Sequence, residues 1–212
     1  SRPVPTPEGK IWDDFSYMTG GHKTKALFLN PDGYIYTPSA GDNQYNLLTG
    51  EFSDYHAGEA DKIYDCGSCH TTGYEAGGSP DGLPGIAGTF ALPGVQCEHC
   101  HGPGLAMEEG DPAICQDCHN HGPEGAVKAN GGFIVSEGQH NEFMAGPHAA
   151  LGDGCVSCHN PHKPAEFGIT TACSNCHASE ASAYAGTLMD KVGVVCEDCH
   201  MPPATLSAQA LG

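Results

Sequence analysis

The chain has 212 residues, a length typical of one or two domains, and a formal net charge of −18 from 26 acidic and 8 basic residues. That charge repels nucleic acid and anionic lipid, so we exclude proteins that bind either of them. The sequence contains no run of eighteen apolar residues, so no membrane-spanning helix is predicted. With 30 glycines, 16 prolines and only 8% aromatic residues, the chain is poor in the side chains that build an ordinary core.

Residues 1–62 contain no cysteine and carry the clearest β-structure signal. The alternating prolines of Ser1–Pro7 predict an extended arm. Next, Ala26–Leu29 and Tyr34–Thr37 are β-rich runs on either side of the turn tetrapeptide Asn30–Gly33, which predicts a small β-hairpin. An exposed edge of that hairpin could pair with another chain.

From Cys66 onward the chain is organised by the pattern Cys-x-x-Cys-His, which occurs six times and uses all twelve cysteines. This pattern is the attachment site of c-type haem: two thiols bond to the vinyl groups, and the histidine gives iron its proximal nitrogen ligand. Zinc knuckles or small disulfides would not require a histidine after every second cysteine. The predicted cofactor-binding cysteines are Cys66, Cys69, Cys97, Cys100, Cys115, Cys118, Cys155, Cys158, Cys173, Cys176, Cys196 and Cys199. The predicted proximal iron ligands are His70, His101, His119, His159, His177 and His200.

Six covalently bound haem c groups would leave about 35 residues for each, too few for a separate core around every cofactor. We therefore expect a mostly irregular multihaem cytochrome c fold with short α-helices, one small β-hairpin and a core formed by the haem stack. Short helices are predicted near residues 136–145 and 180–192. The expected organisation is a Cys-free segment 1–62, a hexahaem region 63–203 and a tail 204–212, in one compact unit.

A second histidine on the opposite face of each haem would complete its iron coordination. Seven histidines lie outside the motif's own His position, and His99 is the weakest candidate because it sits inside a Cys-x-x-Cys loop. His121 and His162 follow their motifs too closely to reach the far face of the same haem, so they would serve a neighbouring one. Methionine ligation is a minor alternative. The predicted distal ligands are His22, His56, His121, His140, His148 and His162.

Several runs resemble multihaem cytochromes c of the cytochrome c554-like group. They are Pro31–Ile35, Gln44–Leu47, Tyr55–Glu59, Cys66–Tyr74, Asp81–Ile86, Gln96–Gly104, Gly131–Ile134 and Cys199–Pro202. The resemblance implies electron transfer along closely spaced haems. It also implies similarity to extracellular cytochromes that polymerise into filaments, in which a histidine of one subunit can bind a haem of the next.

We therefore expect an electron-transfer protein that forms a homo-oligomeric filament outside the cell or at the cell surface. In that filament, His22 of one subunit could bind a haem of the next. Its other partners would be redox proteins or extracellular acceptors. A soluble periplasmic carrier is the alternative. Because haem is attached to this motif outside the cytoplasm and Ser1 is not preceded by an apolar leader, we expect a mature form without its signal peptide.

An enzyme is the remaining alternative, a multihaem oxidoreductase acting on small nitrogen or sulfur compounds. Catalysis would need an iron with an open coordination position. No motif in this sequence replaces the proximal histidine by lysine, so we expect no catalytic residues and assign none.

Overall fold

The structure is a computed structural model that describes residues 3–22, 24–104, 114–120, 138–152, 154–164 and 167–201. The described residues form two compact units, one within Ser1–Gly110 and the other within Asp111–Thr205. This division falls inside the region 63–203 and differs from the single compact unit expected from the sequence. No helix in the described ranges is both long and apolar enough to cross a membrane.

The first unit is built on an antiparallel sheet whose four strands follow one another in chain order. The strands are β1 (Tyr17–Gly20), β2 (Lys25–Leu29), β3 (Gln44–Asn46) and β4 (Glu51–Ser53). Strand β2 is internal and pairs on one side with β1, from Tyr17 opposite Leu29 to Gly20 opposite Ala26. On its other side it pairs with β3, where Ala26 lies opposite Tyr45.

The predicted hairpin is present only as its first strand and its turn. Asn30 makes the turn, because its Oδ1 accepts hydrogen bonds from the backbone N–H groups of Asp32 and Tyr34, both at 3.0 Å. Beyond the turn, Ile35 forms only an isolated bridge with Leu29, and no strand follows. The reason is that the residues of β2 nearest its start, Lys25 to Leu27, already pair with β3 along the same edge. Only the end of β2 is left to pair with the run that follows the turn. The β-structure is thus antiparallel as expected, but its partners lie elsewhere in the sequence.

Strand β2 is buried on both faces, which is why it contains four consecutive apolar residues. On one face, Phe28 contacts the rings of Phe15 (centroids 4.9 Å apart) and Phe52 (6.4 Å). Val4 of the N-terminal arm packs nearby against a cluster that includes Ala26. The other face carries the cluster of buried side chains Leu29, Ile35, Tyr64 and Ile86.

Two short strands follow the first Cys-x-x-Cys-His motif. Strand β5 (Thr71–Thr72) pairs with β6 (Leu92–Pro93), with Thr72 opposite Leu92. Both threonines are buried. Helix α1 (Gly67–His70) ends directly at β5, so the first motif is held between this ribbon and the core of the first unit.

The second unit is mostly irregular, with short helices and single 3₁₀ turns. The helix predicted near 136–145 is present as α4, and Ser136 lies outside the described residues. The helix predicted over 180–192 is wrong: two helices occur there, separated at Gly186, whose φ of +79° ends helical geometry. Thr187 then caps the second helix by accepting a hydrogen bond from the Asp190 N–H. The helices of both units that follow α1 are α2 (Cys97–His101), α3 (Cys115–His119), α4 (Gln139–Ala145), α5 (Ala178–Tyr184), α6 (Leu188–Lys191) and α7 (Cys196–His200).

Candidate haem-binding sites

All six Cys-x-x-Cys-His motifs adopt a single helical turn. The first, second, third and sixth motifs form α1, α2, α3 and α7, and the fourth and fifth begin as 3₁₀ turns at Cys155–Ser157 and Cys173–Asn175. In three of them the histidine N–H donates to the carbonyl of the first cysteine: His70 at 3.1 Å, His159 at 2.9 Å and His177 at 2.9 Å. The turn therefore places two thiols and an imidazole on one short segment, which is the donor arrangement that haem c attachment requires.

The cysteine chemistry fits thioether attachment. The described residues include all twelve cysteines, and none of them forms a disulfide. Groups of three or more His, Cys, Asp or Glu side chains that could hold a metal ion do not occur in the described ranges. Burial raises the pKa of the Cys66 thiol to about 11, with the nearby Asp65 carboxylate as the next cause.

The second unit presents the apolar surface that a porphyrin would cover. All buried hydrophobic side chains of the described residues lie in the first unit, between Ala26 and Ile86. The second unit has no such buried side chains among its described residues and exposes large apolar ones, including Leu188 at 76%, Leu151 at 74% and Val192 at 68%. The first unit also exposes some, such as Ile11 at 63%. Flat macrocycles attached at the motifs could bury apolar side chains of this kind. The residues present therefore fit haem.

One threonine ties the first motif to the second. The Thr72 hydroxyl donates to the Gly94 carbonyl at 2.9 Å and accepts from the Gln96 N–H at 2.8 Å. Thr72 lies two residues after His70, and Gln96 immediately precedes Cys97. This buried bridge fixes the spacing between two candidate haem sites.

The third motif packs against α4. His119 Nδ1 lies 3.4 Å from Oε1 of Gln139, the first residue of α4. The next residue, the predicted ligand His140, has a buried Nδ1 without a hydrogen-bond partner among the described groups. Buried polar atoms normally find a partner, so this nitrogen is consistent with a role that the protein alone does not complete.

The fifth motif faces another predicted ligand. The rings of His148 and His177 lie 5.8 Å apart, centroid to centroid, with their planes at 86°. His177 Nδ1 lies 4.0 Å from the Glu180 carboxylate. A predicted proximal ligand and a predicted distal ligand are thus brought together across 29 residues of sequence.

The structure places the remaining predicted ligands separately. His56 pairs with Glu59, and His22 is exposed in the turn between β1 and β2. His162 follows the fourth motif in a loop closed by the bridge between His159 and Ile169, and its N–H donates to Asn160 Oδ1 at 3.0 Å. His121 lies outside the described residues.

His99, ranked last from the sequence, has a buried Nε2 without a hydrogen-bond partner among the described groups. Its position within the second motif still prevents it from reaching the far face of its own haem. The orphaned nitrogen nevertheless adds His99 to the residues that could bind a neighbouring iron.

Sequence reasoning missed the polar side chains that lie beside these imidazoles: Gln139 at His119, Glu59 at His56 and, at a longer distance, Glu180 at His177. Two of the three are signalled by the pattern His-x-x-Glu, which puts a carboxylate three residues after the histidine. Such partners fix the tautomer and ring orientation of a metal-binding histidine.

Comparisons with known proteins agree with the motif analysis. A family model described as cytochrome c3 matches residues 90–178, one described as cytochrome c554 and c-prime matches residues 42–102, and one described as a doubled CXXCH motif matches residues 168–205. The chain is 28% identical over 147 residues to the dissimilatory sulfite reductase MccA of Wolinella succinogenes. That match covers 55% of this chain and 20% of the relative.

The fold is similar to a solved structure, the undecahaem cytochrome from the S-layer of Carboxydothermus ferrireducens. The TM-score is 0.53 at 18% identity, over 94% of this chain and 45% of the other. At that identity the likeness concerns the fold, and this chain spans less than half of the other protein.

Proposed function

We propose that the chain is a multihaem c-type cytochrome whose six Cys-x-x-Cys-His motifs all bind haem c covalently and carry electrons along a closely spaced chain of haems; the matching family models and the similar multihaem fold support this. The observation that carries this proposal is the recurrence of one cysteine–histidine turn at six places. Haem iron supplies one-electron redox chemistry, and the peptide supplies attachment, ligation and spacing.

Contacts of the chain itself support fixed spacing between the first two sites. Thr72 links the first motif to the second through two hydrogen bonds, and a longer, exposed contact between Gln139 and His119 joins α4 to the third motif. Rigid spacing favours electron transfer over catalysis, since transfer needs neighbouring cofactors at fixed separations and no substrate pocket.

We propose that His148, together with His177, would hold the iron of the haem attached at Cys173 and Cys176. Their centroid separation of 5.8 Å brings the two imidazoles close enough for both to bind one metal ion, since metal–imidazole nitrogen bonds are about 2 Å long. Ligation by two histidines would favour transfer of electrons over binding of a substrate.

We propose that the protein acts outside the cytoplasm, as a subunit of a conductive filament at the cell surface. Three features support this assembly: β1 is an edge strand, His22 is exposed in the turn beside it, and the similar solved structure is an S-layer cytochrome. In this proposal His22 binds a haem of the next subunit. A periplasmic carrier remains the alternative, and negative-stain microscopy separates the two, with particles that stay monodisperse under native conditions contradicting the filament.

A second function is favoured by the relative that is named a dissimilatory sulfite reductase. In that case one haem would bind sulfite at an open iron position. The oxidised protein would then show a high-spin ferric EPR signal from that haem. Adding sulfite would change this signal and the absorption spectrum of the haem. An unchanged spectrum favours electron transfer alone.

A reductive titration tests the main proposal. We expect six electrons per chain, taken up by low-spin haems without added substrate. Uptake of fewer electrons per chain, or haems that are high-spin and substrate-responsive, would contradict it.

A further inference from the structure

His56 is held in an unusual backbone conformation. Its φ is +52°, and among the described non-glycine residues only Asp42 and Asp61 also have a positive φ. The turn around it is fixed by hydrogen bonds from the Ala57 N–H to Asp54 Oδ1 at 2.9 Å and from the Gly58 N–H to the Thr37 carbonyl at 3.1 Å. Strained residues held by their surroundings are concentrated at functional sites.

The imidazole of His56 is oriented from two sides. Its Nδ1 lies 2.8 Å from Glu59 Oε2, and its ring meets the Tyr55 ring edge-on at 4.5 Å between centroids. Lys62 closes the group, with its Nζ 3.2 and 3.3 Å from the two Glu59 oxygens and 5.9 Å from the Tyr55 ring centroid. The four side chains therefore form a closed set of contacts around one half-exposed imidazole.

These contacts select one tautomer of His56. A carboxylate that also accepts from the Lys62 ammonium is an acceptor toward His56, so in the neutral imidazole the proton lies on Nδ1. Nε2 is then left with a lone pair, the form in which histidine binds metals. Metal-binding histidines commonly donate their other N–H to a carboxylate in this way.

We propose that Glu59 is a positioning residue that orients His56 as the sixth ligand of a haem iron and lowers the midpoint potential of that haem. This inference rests on the proposed function, because it requires haem at the motifs. A carboxylate on Nδ1–H makes the imidazole a stronger electron donor, which favours ferric over ferrous iron.

Glu180 provides an internal comparison. It stands in the same place relative to His177, three residues after it, but at 4.0 Å and with a side chain that is 69% exposed, against 2.8 Å and 48% for Glu59. The longer and more solvated contact orients its histidine less. The effect on potential is therefore larger at Glu59.

The test is a potentiometric titration of the haem-loaded protein, wild type and Glu59→Gln, fitted to six one-electron components. We expect one midpoint potential to become more positive, with five unchanged, and Glu59→Asp to recover part of the shift. Glu51→Gln is the matched control, because it removes the same charge at an exposed position of strand β4. We expect it to leave all six midpoint potentials unchanged. A Glu59→Gln profile equal to wild type, or equal to that of Glu51→Gln, overturns the proposal.

A second variant tests the ligation itself. With His56→Ala, the ferric EPR spectrum should gain one high-spin haem while the intact mass still shows every haem attached. A fully low-spin spectrum would overturn the proposal. Failure of the proposed function would instead be seen in the wild type, as fewer than six redox components, and the Glu59→Gln shift would remain readable on those present.

Discussion

The imidazole rings of His148 and His177 are neighbours, with their centroids 5.8 Å apart and their planes nearly perpendicular at 86°. His148 immediately precedes the 3₁₀ turn Ala149–Leu151, and His177 immediately precedes α5. Both histidines thus lie at the start of a helical turn, where the backbone is fixed. This pair is the part of the structure that most directly joins a distal candidate to a named motif.

Replacing His148 by alanine should convert one haem to a high-spin ferric form. The nearly perpendicular ring planes predict, in the wild type, one low-spin EPR signal of high anisotropy, and that signal should disappear in the variant. Removing the haem itself with Cys173→Ala and Cys176→Ala should abolish the same signal. If the two variants remove different signals, His148 serves another haem and the pairing is wrong.

Replacing Thr72 by valine should loosen the link between the first two motifs. Valine keeps the shape but leaves the Gly94 carbonyl and the Gln96 N–H without their partner, at a cost of about 1–3 kcal/mol. We expect a lower urea midpoint and a change in redox interaction between two haems. Thr72→Ser retains the hydroxyl and should restore both, so a serine variant that behaves like valine would show that the hydrogen bonds are not the cause.

Replacing Tyr64 by phenylalanine should change the alkaline stability of the protein. Burial raises the pKa of Tyr64 above its usual value, although the hydrogen bond with Thr19 opposes the rise. The contribution of the neutral phenol is therefore fully present below pH 10 and is lost as the pH rises through the folded-state pKa. The variant should be about 1 kcal/mol less stable near neutral pH and should lose less stability above pH 10. Equal alkaline losses in near-UV circular dichroism would contradict this.

Replacing Gly85 by alanine should destabilise the first unit. A Cβ at Gly85 would lie 2.1 Å from the backbone nitrogen of Tyr34, and neither backbone can yield easily because Gly85 N–H donates to the Asp32 carbonyl. We expect a loss of about 2–3 kcal/mol, measured as the urea midpoint of the haem-loaded protein. Gly82→Ala has open space around its Cβ and tests backbone strain alone, so it should cost less.

The prediction of haem attachment rests on local chemistry. Two cysteines and a histidine within five residues define each predicted site, and the helical turn at Cys66–His70 or Cys173–His177 needs no distant contact to form. The fold class followed from the scarcity of apolar residues. The short helix at α4 was also predictable from its local pattern.

The pairing of the strands was less accessible, because it depends on distant segments. Tyr34–Thr37 has the composition of a strand, but β2 uses half of the relevant edge to pair with Gln44–Asn46. Likewise, the break at Gly186 replaced one predicted helix with two. The His148–His177 pair and the Glu59 contact with His56 depend on three-dimensional packing, and only the His-x-x-Glu spacing hints at the latter.

The intact mass of the purified native protein tests the central claim most directly. The account predicts the mass of the chain plus six covalently bound haems, with all twelve cysteine thiols unavailable to alkylating reagents. A mass equal to that of the bare polypeptide, or thiols that react while the protein is folded and colourless, would contradict it.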